Sequence, residues 1–548
     1  MIDTLARSMS RLVPHRSDYA GLSRSWRRDI LAGVTVGVVA LPLALAFGIS
    51  SGVGAAAGLI TAVVAGLVAA VFGGSHVQVS GPTGAMAVVL APIVTQYGFG
   101  SIALVTVLAG LIVVAAGVTG LGRAVTFIPW PVIEGFTLGI ATIIFLQQVP
   151  AAVGSAAPKG QGPLIAAWTV LSHLDWTVAG STLLVVAFAV ALMVGLPRLH
   201  RSIPESLAAV LAATVLVAAA HLPVARIGEL PSHLPTPVLP HADVNALQTL
   251  FGAALAIAAL AAIESLLSAR VAATMSPTGP YDPNRELVGQ GLASVASGLF
   301  GGMPATGAIA RTAVNVRAGA RTRVSAVVHS LVLVCVVYFA TGPVSSIPLC
   351  ALSAVLMVTS FRMISATTIG RILRSTRSDA VIFALTAVVT VCFDLIEAVE
   401  IGILVAAVFA LRSLARRSSV TREELPGDRR PGDERIALLR LDGAMFFGAA
   451  ERISNLITDP ERSEVAVVII RMSTLGMLDA TGAHTLSRVA EELESRGVTV
   501  IIKGVQPEHM NLLTNVGVID ALRHENHLID SLDDAIAHAR EHVAGVAV

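Results

Sequence analysis

The sequence predicts a polytopic α-helical membrane protein of fourteen spans, arranged as a seven-plus-seven inverted repeat with two half-helices and followed by a small α/β domain. Three observations predict it. The chain is 54% hydrophobic and only 13% charged, whereas a soluble domain carries roughly a quarter charged residues. Apolar runs such as 30–49, 55–72, 177–196 and 324–340 approach or reach the ~20 residues that cross a bilayer core as helix. Finally, VQVSGPTGAM (77–86) interrupts the apolar pattern and is echoed by MPATGAI (303–309), so that Thr83-Gly84-Ala85 matches Thr306-Gly307-Ala308.

Residues 1–29 hold six arginines and no apolar core before the first long run, so a cytoplasmic leader is expected rather than a cleaved signal peptide. The transport region, 30–414, divides into spans 30–49, 52–73, 84–96, 100–119, 131–149, 177–196 and 203–222, then 248–270, 286–300, 307–317, 324–341, 348–361, 379–394 and 397–414. The third and tenth are too short to cross alone, and each follows a Gly/Pro-rich lead-in. An odd number of spans per half inverts the second half relative to the first. That is the pattern of transporters whose site lies where discontinuous helices meet near the bilayer midplane. With the N-terminus inside, Arg123, Arg198, Arg201, Arg285, Arg317, Arg321 and Arg323 all fall on the cytoplasmic side, as do the arginines at 362–377 and 412–417. The external loops then hold only Lys159 and Arg226, the charge asymmetry of a correctly oriented membrane protein.

After Leu414 comes a charged linker, 415–434, and then an α/β domain, 435–548. In it RIALLRLDGAMFFGAAERI reads strand, turn, strand, helix; VAVVIIRMSTLGMLDATGAHTL reads buried strand, loop, helix; ESRGVTVIIKGV gives a further strand and SLDDAIAHAREHV a closing helix. Cys335, Cys350 and Cys392 lie in apolar runs and read as free core thiols. A net charge of +1 gives no reason to expect a nucleic-acid partner. Neither a Walker loop, a credible GxSxG nor a His/Cys ligand cluster stands out. No enzyme activity, cofactor or metal is therefore expected, and transport would be secondary rather than ATP-driven.

Ionisable groups inside spans are costly unless paired or hydrated, which singles out Glu264 in AAIESLLSARVA and Arg311 in TGAIARTAVN. Two half-helices meeting N-terminus to N-terminus bring unsatisfied N–H groups and positive dipole ends to one point. With Arg311 beside it, that point suits an anion; Gly84 and Gly307 would let it approach the backbone, while Thr83 and Thr306 would cap the short helices or donate hydroxyls. Arg311 also reads as a structural ion pair or a snorkelling arginine, and Glu264 as a helix-end acid. As a functional group, Glu264 would change protonation as its solvent exposure changes and so couple a proton to the anion. Glu134 and Glu286 read as helix-start acids, His329 as a satisfied polar group and His76 as a loop residue.

SGPTGA, AIESLLSA, RELVGQG and GGMPATGAIARTAVNVRAGARTRVSAVVHS, with the tail, resemble the sulfate permease (SulP) family of anion transporters, near its C4-dicarboxylate and bicarbonate carriers. The resemblance implies a bacterial inner-membrane homodimer with both termini cytoplasmic. It implies a core domain (spans 1–4 and 8–11) moving elevator-like against a gate domain (spans 5–7 and 12–14). Carried over residue by residue, the anion site falls at Phe47, Thr83, Gly84, Ala308, Ile309, Ala310 and Arg311, and the coupling site at Glu264 and Ser268. Leu43 follows Pro42 where many members have Gln, which removes one polar ligand. Ile309 stands where sodium-coupled members have Thr and offers no oxygen, so the resemblance points to proton symport or exchange rather than sodium. The tail resembles a STAS domain, a potential dock for a cytosolic protein, with Thr481 of LDATG at the phospho-acceptor position; the plainer reading of Thr481 is a helix cap. An uncoupled anion channel, a nucleobase-type permease and a signalling protein are the rival readings, and sulfate, bicarbonate and a dicarboxylate remain open as substrates.

Overall fold

A computed structural model describes residues 12–19, 21–123, 129–158, 161–199, 204–240, 244–392, 395–447, 450–457 and 465–545; Lys159 and Arg201 lie outside them. The chain separates into two compact units, Met1–Ile403 and Leu404–Val548.

Each segment read as a span contains a helix among the described residues, and the last of these helices runs past Ile403, the end of the first unit. The helices are α1 Leu22–Ser50, α2 Ala55–Phe72, α3 Gly84–Tyr97, α4 Ile102–Val118, α5 Trp130–Ala152, α6 Pro163–Ser172, α7 Trp176–Leu199 and α8 Glu205–Ala219. There follow α9 Val244–Met275, α10 Pro283–Leu299, α11 Ile309–Arg317, α12 Val324–Phe339, α13 Leu349–Met363, α14 Ala366–Arg374, α15 Arg377–Cys392 and α16 Leu395–Arg417. Among the described residues, seven helical stretches are long and apolar enough to cross a membrane by length and composition alone. Helices α6 and α14 were not expected. Both are short, and the second is strongly amphipathic, ATTIGRILR, so its pattern belongs to a surface helix rather than a span.

Helices α1–α4 and α9–α12 pack chiefly on one another, and α5, α7, α8, α13 and α15 pack as a second group. Apolar side chains alone do not drive helices together where lipid is equally apolar, so close backbone approach through small residues matters. The α4–α10 pair shows it: a Cβ on Gly110 would stand 2.7 Å from the Gly291 carbonyl oxygen. Of the cysteines, only Cys350 is buried; Cys335 and Cys392 are exposed on apolar helices, which corrects the reading of all three as core thiols. A span's outer face is as apolar as its core, so composition could not separate them.

The two lead-ins do more than break helices. Ser80–Gly81 (β1) and Thr306–Gly307 (β2) pair antiparallel, Ser80 opposite Gly307 and Gly81 opposite Thr306. Inside a membrane irregular backbone must find partners within the protein, and each lead-in supplies the other's. The Ala308 N–H extends the pairing to the Val79 carbonyl at 2.9 Å.

In the second unit Ser419–Glu423 (β3), Ile436–Met445 (β4), Val467–Arg471 (β5), Thr499–Lys503 (β7) and Leu528–Ile529 (β8) form a sheet in that order, with Leu475–Leu478 (β6) also on β4; only β3 is antiparallel. Side chains alternate between faces. Leu439, Leu441, Val468, Ile470, Val500 and Ile502 pack under the helix Ala480–Ser495 (α18). Ile436, Leu438, Val467, Ile469 and Ile501 pack under Leu532–Val543 (α20). A smaller helix, Ala450–Ile457 (α17), and Pro507–Val516 (α19) complete the domain.

Three expectations are corrected here. No turn follows Leu441: β4 is one ten-residue strand that pairs with β5 as far as Arg440 and with β6 from Gly443, the β6 register shifting between Gly443 and Ala444. The segment read as linker contributes β3, because its five residues find an open edge on β4. Thr481 is not the cap of α18. Asp479 is, its carboxylate accepting the Gly482 N–H at 2.7 Å, and Thr481 is exposed in the first turn.

Candidate functional site

The site is built where the paired lead-ins become helices. Pro82 and an extended Thr83 end β1, and α3 begins at Gly84. The Thr83 hydroxyl accepts weakly from the Met86 N–H at 3.5 Å, as an N-cap does. Thr306 does not mirror it. Because α11 starts only at Ile309, after Ala308, Thr306 sits in β2 two residues too early to cap. Its hydroxyl instead donates to Glu264 Oε2 at 2.8 Å, and the Thr83 hydroxyl donates to the same oxygen at 2.8 Å. The two threonine oxygens lie 3.2 Å apart.

Glu264 is therefore not a helix-end acid. It lies eleven residues before the end of α9, and one carboxylate oxygen ties the two lead-ins together. Ser265, next along α9, accepts the Gly307 N–H at 3.1 Å through its hydroxyl, and its carbonyl accepts from Gln78 Nε2 at 3.3 Å. One turn further, Ser268 Oγ is 3.3 Å from Thr312 Oγ1, which accepts the Val79 N–H at 3.0 Å. Ser268 thus joins the hydroxyl network behind β1. Ile309 is 43% exposed and Ala310 is exposed as well, so Ser268 and Ile309 face different surroundings.

Arg311 is 2% exposed. Its Nη2 donates to the Pro82 carbonyl at 2.6 Å, while Nη1 has no hydrogen-bond partner among the described residues. The guanidinium lies against β1 so closely that a Cβ on Gly81 would stand 2.8 Å from Nη1. Gly81 also has φ +150°, so conformation and space both require glycine there. The guanidinium consequently acts on the strand pair from behind, while Ile309 and Ala310 present the start of α11 outward. That start has no side-chain cap, and first-turn N–H groups without a cap are the donors an anion seeks.

Phe47 of α1 and Ile144 of α5 close over the start of α3. A Cβ on Gly84 would stand 3.3 Å from Phe47 Cε1 and from Ile144 Cγ1, and closer still to Ile144 Cδ1. Phe47, Thr83, Gly84 and Ala308 are buried. Sequence reading missed Ile144, which no local pattern marks. A separate cavity of about 890 Å³ opens between α1, α3, α5 and α13, lined by Ser50, Gln96, Gln147 and Ser353 among others; it reaches Ala46 and Ile143, each one residue short of this contact.

Beneath the strand pair lies a second buried polar chain. Glu286 accepts the Gly74 and Ser75 N–H groups at 2.8 and 3.2 Å and Gln290 Nε2 at 2.8 Å; the same Nε2 reaches Ser80 Oγ at 2.5 Å. Glu286 thus fastens the turn after α2, a structural task. Outside the spans, Asp18 receives two bonds from Arg285 at 2.9 and 2.6 Å. Burial acts to raise its carboxyl, but the bonds from Arg285 and the His15 N–H and the charges of Arg323 and Arg285 outweigh this and hold it at about 2. His76 is pushed below its ordinary value by burial and by the charge of Arg323. His329 corrects its expectation: it is fully buried, yet neither ring nitrogen has a partner among the described residues. Glu134 accepts from Trp130 Nε1 at 3.0 Å on an exposed helix start.

Comparison with known proteins follows the same two units. A sequence profile of the sulfate permease family matches residues 26–386, and one of the STAS domain matches 429–535. The chain is 34% identical over 519 residues to the putative sulfate transporter YvdB of Bacillus subtilis (strain 168), covering 93% of this chain and 97% of that one. It is 33% identical over 542 residues to the bicarbonate transporter BicA of Synechocystis sp. (strain ATCC 27184 / PCC 6803 / Kazusa), covering 94% of each. Among solved structures, the murine Solute Carrier 26 family member A9 anion transporter in its inward-facing state superposes with a TM-score of 0.82 over 94% of this chain and 91% of that one; at 18% identity this is a likeness of fold.

Proposed function

Since the chain belongs to the sulfate permease family and carries a C-terminal STAS domain, we propose that it is a secondary active transporter of a small oxyanion or dicarboxylate, coupled to protons or to anion exchange. Sulfate and bicarbonate lead, because the relatives named for them share about a third of its residues. The anion sits at the starts of α3 and α11, against Phe47, Thr83, Gly84, Ala308, Ile309 and Ala310. Arg311 supplies positive charge from behind the strand pair.

One observation carries the coupling. A single carboxylate oxygen of Glu264 receives a hydroxyl from each half of the repeat, at Thr83 and Thr306. A proton arriving on that oxygen removes an acceptor and loosens the junction that defines the anion site. Binding of anion and proton are then linked through one element. Sodium finds no added oxygen at Ile309. In this reading α1–α4 and α9–α12 move as an elevator against the remaining helices, in a homodimer of the bacterial inner membrane with both termini cytoplasmic, and the STAS domain meets a cytosolic protein.

The test is uptake of labelled sulfate, bicarbonate and C4-dicarboxylate into proteoliposomes, with and without imposed proton and sodium gradients, for the unaltered protein and Glu264→Gln. Glutamine keeps the oxygen that accepts both hydroxyls but cannot titrate. Proton-driven accumulation should vanish while anion binding remains measurable. A variant that still accumulates anion driven by an imposed proton gradient sinks the coupling role, and uptake of none of the three anions sinks the transport reading.

A further inference from the structure

The fold gathers a cluster that the transport site does not use. His538 and His542 are one turn apart on α20, and His527 ends the short 3-10 turn Glu525–His527 that leads into β8. Each offers a ring nitrogen, and the three nitrogens lie within 4.8 Å of one another. The rings stack edge to face and tilted, with centroids 4.8 to 5.4 Å apart. His527 is 1% exposed. One nitrogen per ring, His527 Nδ1, His538 Nε2 and His542 Nε2, is buried without a hydrogen-bond partner among the described residues.

A buried ring nitrogen without a partner is uncommon, since burying a polar atom unpaired costs about 1–3 kcal/mol. Three converging on one point have a common physical explanation. We infer that His527, His538 and His542 form a binding site for a divalent transition metal of the zinc class in the C-terminal domain. Three imidazoles suit Zn²⁺ or Co²⁺ rather than the oxygen-seeking Mg²⁺ or Ca²⁺. With bonds of about 2.05 Å, tetrahedral ligand nitrogens stand ~3.4 Å apart, so side-chain rotation must draw the widest pair inward by little more than 1 Å. His538 also has an outer partner, Glu541 Oε2 at 3.5 Å from Nδ1. A carboxylate on the far nitrogen selects the tautomer whose Nε2 lone pair faces the metal. Nearby Arg523 and Glu494 pair with each other at 3.4 Å.

The placement gives the metal a task. Strand β8 is the two-residue edge of the sheet, paired among the described strands with β7 alone, and α20 covers one sheet face, with Ile529 of β8 packed against it. A metal shared by His527 and α20 staples that edge to the helix and leaves a fourth coordination position for water or a partner's ligand.

The experiment uses the full chain in detergent, purified through a tag without histidine and stripped with chelator, then titrated with Zn²⁺ and Co²⁺. We expect one metal per chain, the visible bands of tetrahedral Co²⁺ bound by nitrogen, and a melting temperature raised by Zn²⁺. His538→Ala with His542→Ala should weaken binding at least about 100-fold, beyond the 10–100-fold lost with an outer partner alone. His484→Ala, an exposed histidine on α18, should leave it unchanged. Absence of stoichiometric metal in the unaltered chain overturns the inference, as does equal affinity in the double variant. Should the double variant fail to fold, the Co²⁺ spectrum of the unaltered chain decides alone: octahedral or absent bands refute the site.

Discussion

Thr306→Val removes one hydroxyl and nearly nothing else, since valine has the same shape. In the structure that hydroxyl donates to Glu264 at 2.8 Å and lies 3.2 Å from the Thr83 oxygen. Hydrogen bonds to a charged group contribute about 1.5–3 kcal/mol each. If the bond is made in only one transport state, its loss shifts the population of that state roughly 10- to 100-fold. Gradient-driven uptake in proteoliposomes should fall by at least about tenfold, and Thr306→Ser should restore it. Thr83→Val should do the same, and the double variant should fall short of the sum, because both bonds end on one oxygen and such groups are coupled. Melting temperature, measured alongside, separates lost coupling from lost fold. Uptake within twofold of the parent in a normally folded Thr306→Val protein would refute the claim that the carboxylate joins the two half-helices functionally.

Gly84→Ala should fold, because the methyl meets the flexible end of Ile144 rather than backbone. It should raise the anion KM at least about fivefold, and Ile144→Ala in the same chain should recover part of the loss in an uptake assay. For Asp18, the folded carboxyl at about 2 lies below its ordinary 3.8. It therefore contributes about 2 kcal/mol that is present above pH 4 and lost as pH falls from 4 toward 2. Asp18→Asn should flatten acid unfolding in that window while lowering stability at neutral pH, because Arg285 is left buried without its partner. In the C-terminal domain Asp479→Ala should cost about 1–2 kcal/mol in denaturant melts, since it removes the cap of α18 and the acceptor of the Phe447 N–H at 3.1 Å. Thr481→Ala should stay within about 0.5 kcal/mol, the range of exposed substitutions.

Local signals carried far in this chain. Long apolar runs are a one-dimensional property, so α2, α5, α7 and α9 could be read to within five residues at either end, whereas α1 begins at Leu22, eight residues before the expected start and inside the segment read as leader, because its first turns are polar. The Gly-Pro interruption and its echo at 303–309 likewise marked the two short helices. In the tail, short continuous runs of Val and Ile marked β5 and β7, because a strand covered on both faces is apolar at successive positions. The candidate residues of the site, including Glu264 and Arg311, were also named from sequence pattern and resemblance.

What remained needed partners distant in the chain. Thr306 and Thr83 carry the same local motif, yet one caps a helix and the other sits in a strand, because α11 starts two residues later relative to its motif than α3 does. Pairing of β1 with β2 joins residues more than 220 positions apart, and no local propensity encodes it. The direction of the Arg311 guanidinium, toward Pro82 rather than outward, was set by the approach of Gly81. No ligand cluster stood out in the sequence, because His538 and His542 on one helix mean little until the fold brings His527 beside them. The sequence by itself determined which segments are helical and apolar, where two of them break and which polar side chains they carry. Tertiary structure alone decided which polar groups meet, because inside an apolar medium each must find its partner across the fold.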